Sequence, residues 1–213
     1  MNKISLLIFD KYETGNNNYF NEVFNTYNGG TFQSKYYVDT SPYKLITIKN
    51  VDDYGFNTSS TSFLSEEKAD KKYLLNKGDI ILTMTGNIGR TGIVDEDNCF
   101  LNQRVLKISS KSKLYLLCYL NKYKKDIIQL GKGTAQLNLS LDDLNKMTIY
   151  NSSEEIDYFK KYNYIFDIML NNRIKNKTIN FPYKAEVYIA NFVRAIIDII
   201  IFSERDIEIK SLY

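Results

Sequence analysis

The chain has 213 residues, 44% of them hydrophobic, and a formal net charge of +3. That length suits one domain with an appendage, or two small domains, with enough apolar content to bury a core. Histidine is absent, which excludes His-based acid–base catalysis, Ser-His-Asp triads and the usual zinc sites.

In chain order, Phe20, Val23, Phe24 and Tyr27 recur at three- and four-residue spacing, which predicts a short amphipathic helix over 17–27. Gly29 and Gly30 are expected to end it. The β-branched and aromatic run 43–49 reads as a strand. Residues 52–72 are polar and read as a loop. Lys77-Gly78-Asp79 turns the chain into a second strand, 80–85. Gly86-Asn87-Ile88-Gly89 turns it back along 91–94, a hairpin. Residues 103–108 form another strand. Leu116, Leu120, Tyr123 and Ile127 form the stripe of a helix over 114–130, broken by Gly131-Lys132-Gly133. Ser140 caps a short helix with Asp142 and Asp143 in its first turn, and 147–150 is a final strand. After Tyr150 the pattern becomes helical. Ser152-Ser153-Glu154-Glu155 fits a capping box for a helix to about residue 177, with Phe159, Tyr162, Phe166 and Met169 spaced by three and four. Pro182 stops continuation, and a more apolar helix follows over 185–202. The expected fold is α+β: a mixed, mostly antiparallel sheet with flanking helices over residues 1–150, followed by a helical segment, 151–213.

The charge is uneven. Residues 1–150 carry +3 and residues 151–213 are neutral. The window Arg104–Lys132 holds eight basic residues and one acidic residue, Asp126. Such an excess is a footprint for a polyanion, or else a solvated basic face. The most apolar segment, 190–202, is interrupted by Asn191, Arg194 and Asp198, so no membrane span is expected. The opening apolar run is too short for a secretory signal, so a cytoplasmic protein is expected. Cys99 and Cys118 lie among apolar residues and read as buried thiols. No Gly-rich phosphate loop and no adenine-methyltransferase tetrapeptide occurs. The acidic pairs Asp52-Asp53, Glu66-Glu67 and Asp142-Asp143 are adjacent in sequence, so their side chains diverge and make no metal-dependent nuclease site. No catalytic residue, metal or cofactor is assigned to the chain.

Several segments recur in a telling order. Gly29-Gly30-Thr31-Phe32-Gln33-Ser34 precedes Ile46-Thr47-Ile48-Lys49-Asn50-Val51. Lys77-Gly78-Asp79-Ile80-Ile81-Leu82-Thr83-Met84-Thr85-Gly86-Asn87-Ile88-Gly89-Arg90 comes next, then Asn102-Gln103-Arg104. Last is Gly131-Lys132-Gly133-Thr134-Ala135-Gln136-Leu137-Asn138-Leu139-Ser140. Together, over roughly residues 18–150, they resemble the target-recognition domain of type I restriction–modification specificity subunits. The resemblance implies a non-catalytic subunit that reads one half of a split site in double-stranded DNA. Methylation and cleavage belong to partner subunits that use S-adenosylmethionine and ATP. With one recognition domain, the chain looks like half a specificity subunit, which a second copy would complete. The other reading is a stand-alone DNA-binding or anti-restriction protein of the same fold, competing for DNA or for the methyltransferase. The chain departs from the family in three ways: Asn151-Ser152-Ser153 replaces a proline, the following helix is short, and the segment after Pro182 matches nothing in it.

Base edges are read by polar side chains on loops held by a rigid scaffold, whereas phosphate contacts give affinity and register. The hairpin tip offers Thr85, Asn87 and Arg90, unless it is an ordinary turn. The 131–138 loop offers Lys132 and Thr134 for phosphate and Gln136 and Asn138 for bases, unless it only links two elements. Gln103 and Arg104 form a third group, with Gln103 equally readable as a buried loop-fixing amide. Thr31, Gln33, Ser34 and Lys35 follow the glycine pair. Lys122, Lys124 and Lys125 are phosphate candidates or a solvated helix face.

Overall fold

The computed structural model describes residues 17–53 and 55–150, together with Lys160, Asn163, Tyr164, Asp167, Ile168, Leu170 and Asn171, all seven helical. These seven fall within the first helix expected after Ser153. The rest of that helix, and the one expected over 185–202, lie outside the described residues.

Strand β1 (Asn17–Tyr19) leads into a one-turn helix, α1 (Phe20–Val23), and then into β2 (Asn25–Asn28). The spacing predicts one continuous helix here, and the structure corrects that. Asn18 pairs with Ile149, and residues 25–28 pair antiparallel with 106–109. Distant strands claim the backbone, and only the α1 turn remains helical. That turn suffices to set Phe20 edge-to-face against Phe24, ring centroids 4.9 Å apart, in the main core.

Strands β3 (Tyr37–Val38) and β4 (Lys44–Ile46) follow. The strand expected over 43–49 ends early because the Thr47 hydroxyl accepts from Lys49 N and starts a 3-10 turn at Ile48–Asn50. Asn50 is fully buried. Its carboxamide oxygen accepts from Thr47 N at 2.9 Å, and its amide nitrogen donates to Asn57 O and to Thr61 Oγ1. The expected loop 52–72 is therefore ordered from within. It holds β6 (Gly55–Phe56) after β5 (Val51–Asp52), then β7 (Ser62–Leu64). β8 (Leu74–Leu75) precedes the hairpin of β9 (Ile80–Thr83) and β10 (Thr91–Ile93), which pairs as expected. β11 (Cys99–Leu101) and β12 (Val105–Ser109) complete the sheets. The helix expected over 114–130 is two helices, α2 (Lys113–Lys122) and α3 (Lys124–Gln129), parted at Tyr123, whose ψ of 16° leaves the helical region. α2 is buried from Leu114 to Leu120, so it is sheathed on all sides rather than striped. Ser140 caps α4 (Leu141–Asn145) by accepting from Asp143 N, and β13 (Thr148–Tyr150) returns to pair with β1.

The strands form a four-stranded sheet, β10-β9-β12-β2, a five-stranded sheet, β3-β7-β4-β11-β8, and two two-stranded pairs, β1-β13 and β5-β6. Among the described residues all strand pairings are antiparallel except β4 with β11. The fold is thus α+β with a mixed, mostly antiparallel sheet arrangement. Side chains alternate across a strand, and here the alternation divides two cores. Ile80, Leu82, Leu106 and Ile108 face the helices, whereas Ile81 and Val105 face the five-stranded sheet beside Ile46, Leu75 and Leu101. A third cluster, Leu45, Leu64 and Phe100, lies within the five-stranded sheet, with Phe32, Tyr37 and Tyr43 packed against it. With both faces covered, β9 is buried throughout, and Ile80, Ile81 and Leu82 follow one another without a polar residue between them. Both cysteines are buried thiols.

Candidate nucleic-acid interface

The segments that stand far apart in sequence meet at one end of the four-stranded sheet. Gly30 N donates to Leu101 O and Gln103 N donates to Gly30 O, so the glycine pair docks on the 102–104 turn rather than capping a helix. Met84 N donates to Arg104 O, and Leu139 N donates to Met84 O. Gly86 N donates to Leu137 O at 2.8 Å. One ladder of main-chain bonds thus runs from the first loop, through the 102–104 turn and the hairpin tip, to the 131–138 loop.

Each part is stiffened from below. Thr83 is fully buried. Its hydroxyl donates to Asn87 O and accepts from Arg90 N at 3.1 Å, which fixes the 86–90 turn on β9. The 131–138 loop closes on itself, Lys132 N to Asn138 O at 2.9 Å and Asn138 N to Lys132 O at 2.8 Å. Gly133, at φ +128° and with Gln136 O where a Cβ would sit, suits only glycine. Tip and loop interlock: Ile88 Cδ1 lies 2.5 Å from the position a Gly131 Cβ would take. Gly89 rests on Ile127, Ile128 and the carbonyl of Lys124, which seats the tip on α3.

The candidate side chains divide by what they touch. Gln136 is exposed, its amide nitrogen beside Gly86. Thr134 and Asn87 are exposed as well. Asn138 is exposed, but its amide nitrogen turns back to Gln136 O and braces the loop. Thr85 is only 9% exposed and lies under Asn138 through a backbone bridge, also a brace. Gln103 is exposed, and its carboxamide oxygen accepts from the Thr31 hydroxyl at 2.7 Å. It is thus neither a buried amide nor a free one. Arg104 is exposed, and among the described residues its guanidinium makes no hydrogen bond or ion pair. Gln33, Ser34 and Lys35 are exposed; Lys35 and Lys68 both lie over the Tyr36 ring, at 4.8 and 4.5 Å. Lys122 and Lys125 are exposed and Lys124 is half-buried at the α2–α3 junction, with the Lys122 ammonium 4.9 Å from the Tyr123 ring centroid.

Two candidates are held by carboxylates to which sequence reasoning assigned no part in the interface. Arg90 donates from Nε and Nη2 to Asp53, at 3.2 and 2.9 Å. Lys132 donates to Asp143 at 2.8 Å. That bond, followed by one from Ser140, holds the Asp143 carboxyl below its ordinary value. Both acids belong to adjacent pairs visible in the sequence, yet nothing local signals a partner on another element. The basic window is also less unbalanced in space: Lys107 pairs with Asp79 at 2.8 Å, as Lys132 does with Asp143. The described residues contain no cluster of side chains able to hold a metal ion, and no described helix is long and apolar enough to cross a membrane.

A family model described as the type I restriction modification DNA specificity domain matches residues 16–157. No curated protein matches the chain. Among solved structures, the S subunit of a type I restriction-modification system from M. genitalium is similar at 15% identity and a TM-score of 0.53, over 76% of this chain and 41% of that one. The HsdS subunit from Thermoanaerobacter tengcongensis is similar at 14% identity and the same TM-score, over 92% of this chain and 50% of that one. A structure described for complex assembly and conformational transition of the type I R-M system is similar at 12% identity and a TM-score of 0.53, over 91% and 50%. The chain thus spans half or less of the length of these solved chains.

Proposed function

Because the chain belongs to the type I restriction modification DNA specificity family, we propose that residues 1–150 act as a target-recognition domain that reads one half of a split site in double-stranded DNA. Residues 151–213 serve as helical spacer and docking segment. The chain performs no chemistry itself: it directs a methyltransferase subunit, and any cleavage subunit, to the site, and it works in the cytoplasm. A second copy, or a second half-subunit, supplies the other recognition domain. One observation carries this reading: the ladder of main-chain bonds brings the loops of Arg104, Gln136 and Asn87 together at one end of the sheet, and the hairpin tip rests on α3, the helix that carries Lys124 and Lys125. Loops held rigidly at the surface with polar tips suit base readout, and lysines beside them suit phosphate.

The reading is tested by selecting binding sites from random duplex with the full chain. The expected outcome is enrichment of one short sequence. Arg90→Ala is expected to change the preferred sequence. Lys124→Ala with Lys125→Ala is expected to weaken binding to every sequence and to flatten the salt dependence, by a log–log slope of about 0.9 for each phosphate no longer neutralised. No preference for any duplex would sink the reading. Co-purification with a methyltransferase subunit tests the partner. The rival, a stand-alone DNA-binding or anti-restriction protein, draws its support from the segment after Pro182, which lies outside the described residues, and no observation favours it.

A further inference from the structure

A guanidinium has two edges that can make paired hydrogen bonds: the side edge, Nε with one Nη, and the end, the two Nη groups together. In Arg90 the side edge is taken, with Nε and Nη2 on the two oxygens of Asp53. The end edge, Nη1 with both hydrogens and the second hydrogen of Nη2, has no partner among the described residues. Asp53 sits at the tip of the β5–β6 hairpin, an element packed beside β10 and independent of the turn that carries Arg90. Arg90 is mostly covered, at 23% exposure, whereas Asp53 stands out at 63%. A carboxylate at the exposed rim of a DNA-facing edge repels phosphate, so it opposes affinity there. It nevertheless lowers the rotational freedom of a long side chain and presents the remaining edge in one orientation. That edge matches the O6 and N7 acceptors of guanine in the major groove.

Resting on the DNA-reading role proposed above, we infer that Asp53 is a positioning residue that holds Arg90 as the reader of one guanine in the target. The pair trades affinity for discrimination: the arginine supplies the recognition, and the acid limits where it can be made. Asp53 neither contacts the base nor grips the backbone.

The test is binding-site selection on the full chain, comparing wild type with Arg90→Ala, Asp53→Ala, Asp53→Asn and the double variant. Wild type is expected to require guanine at one position, and Arg90→Ala to lose that requirement. Asp53→Ala is expected to lower discrimination at that position alone by about tenfold. Its affinity for random duplex should stay the same or rise, which a merely structural defect would not produce. Asp53→Asn keeps one acceptor oxygen and is expected to fall between wild type and Asp53→Ala. The double variant should discriminate no worse than Arg90→Ala. Asp53 is exposed at a hairpin tip, and unchanged melting temperatures of its variants are expected to confirm their folding. A guanine preference left intact or sharpened in Asp53→Ala overturns this inference while leaving the DNA-reading role standing. The absence of any selected site in wild type overturns that role, and the inference with it.

Discussion

Lys132 is exposed, yet it does not point freely into solvent. Its ammonium lies on Asp143, the residue whose main-chain nitrogen also donates to the Ser140 cap. The cap was legible in the sequence because the Ser-x-x-Asp spacing is local. The ion pair was not, because Lys132 and Asp143 sit on separate elements joined only by the loop closure. The same holds for Arg90 and Asp53, 37 positions apart. Sequence shows which residues are charged; it does not show which charges are already answered. The consequence for pH follows from the sign of the shift. Asp143 is held below its ordinary value by Lys132 and then Ser140. Its contribution is therefore complete above the unfolded carboxylate range of about 4 and is lost only as pH falls through the lower folded value. At neutral pH the Asp143 carboxyl is therefore ionised. Titration of the Asp143 carboxyl by NMR is expected to show a midpoint that moves up toward the ordinary value in Lys132→Ala. A midpoint unmoved by that change would show that Lys132 does not hold it.

At the scale of elements, the β9–β10 hairpin and the apolar strands β4, β12 and β13 were readable, whereas β1 and β2 hid within an apparent helix and β6 and β7 within an apparent loop. The β9–β10 hairpin followed from Gly86 to Gly89 between two apolar runs. The segment 17–28 reads as one helix because Phe20 and Phe24 are one helical turn apart, and that spacing mimics a longer helix than α1. Its true partners are 148–150 and 106–109, which no local pattern announces. The break at Tyr123 is hidden in the same way, since α2 and α3 share one apolar character. Ile88 and Gly131 define how the hairpin tip meets the end of α3, and they yield a sharp expectation. Gly131→Ala puts a methyl into Ile88 Cδ1 and is expected to destabilise by about 1–3 kcal/mol in urea unfolding, as overpacking does. Ile88→Val removes that one carbon and alone costs about 1 kcal/mol. The double variant should be more stable than the two effects added together would make it. Additive effects would mean that the two elements do not press on each other.

For the whole molecule, composition and pattern gave the class, a mixed and mostly antiparallel arrangement with helices. They gave neither the division into two larger sheets and two strand pairs nor the separate cores on the two faces of β9, because alternation within a buried strand leaves no polar mark. Beyond the sheets, Asn163 accepts from the Ser112 hydroxyl and from Leu114 N and so crowns the start of α2. Leu170 packs on the main core. Further round, Tyr164 and Ile168 stand 56% and 52% exposed, four positions apart. Pairing with a second copy would cover them. Sedimentation of the full chain is expected to show a concentration-dependent dimer that Ile168→Asp shifts to monomer, and a wild-type monomer at high concentration would count against self-pairing.

The pairing of β1 with β13 carries a meaning for how such a unit is handled over time. Asn17 lies opposite Tyr150, so the polypeptide enters and leaves through a single doorway. Anything attached at one end sits beside anything attached at the other, whatever lies between. A recombination event could lift out the whole stretch and drop in another with the same doorway, leaving the sequence on either side unchanged. A new target would then arrive as a cassette, by replacement in one step rather than by the slow editing of loops that lean on one another.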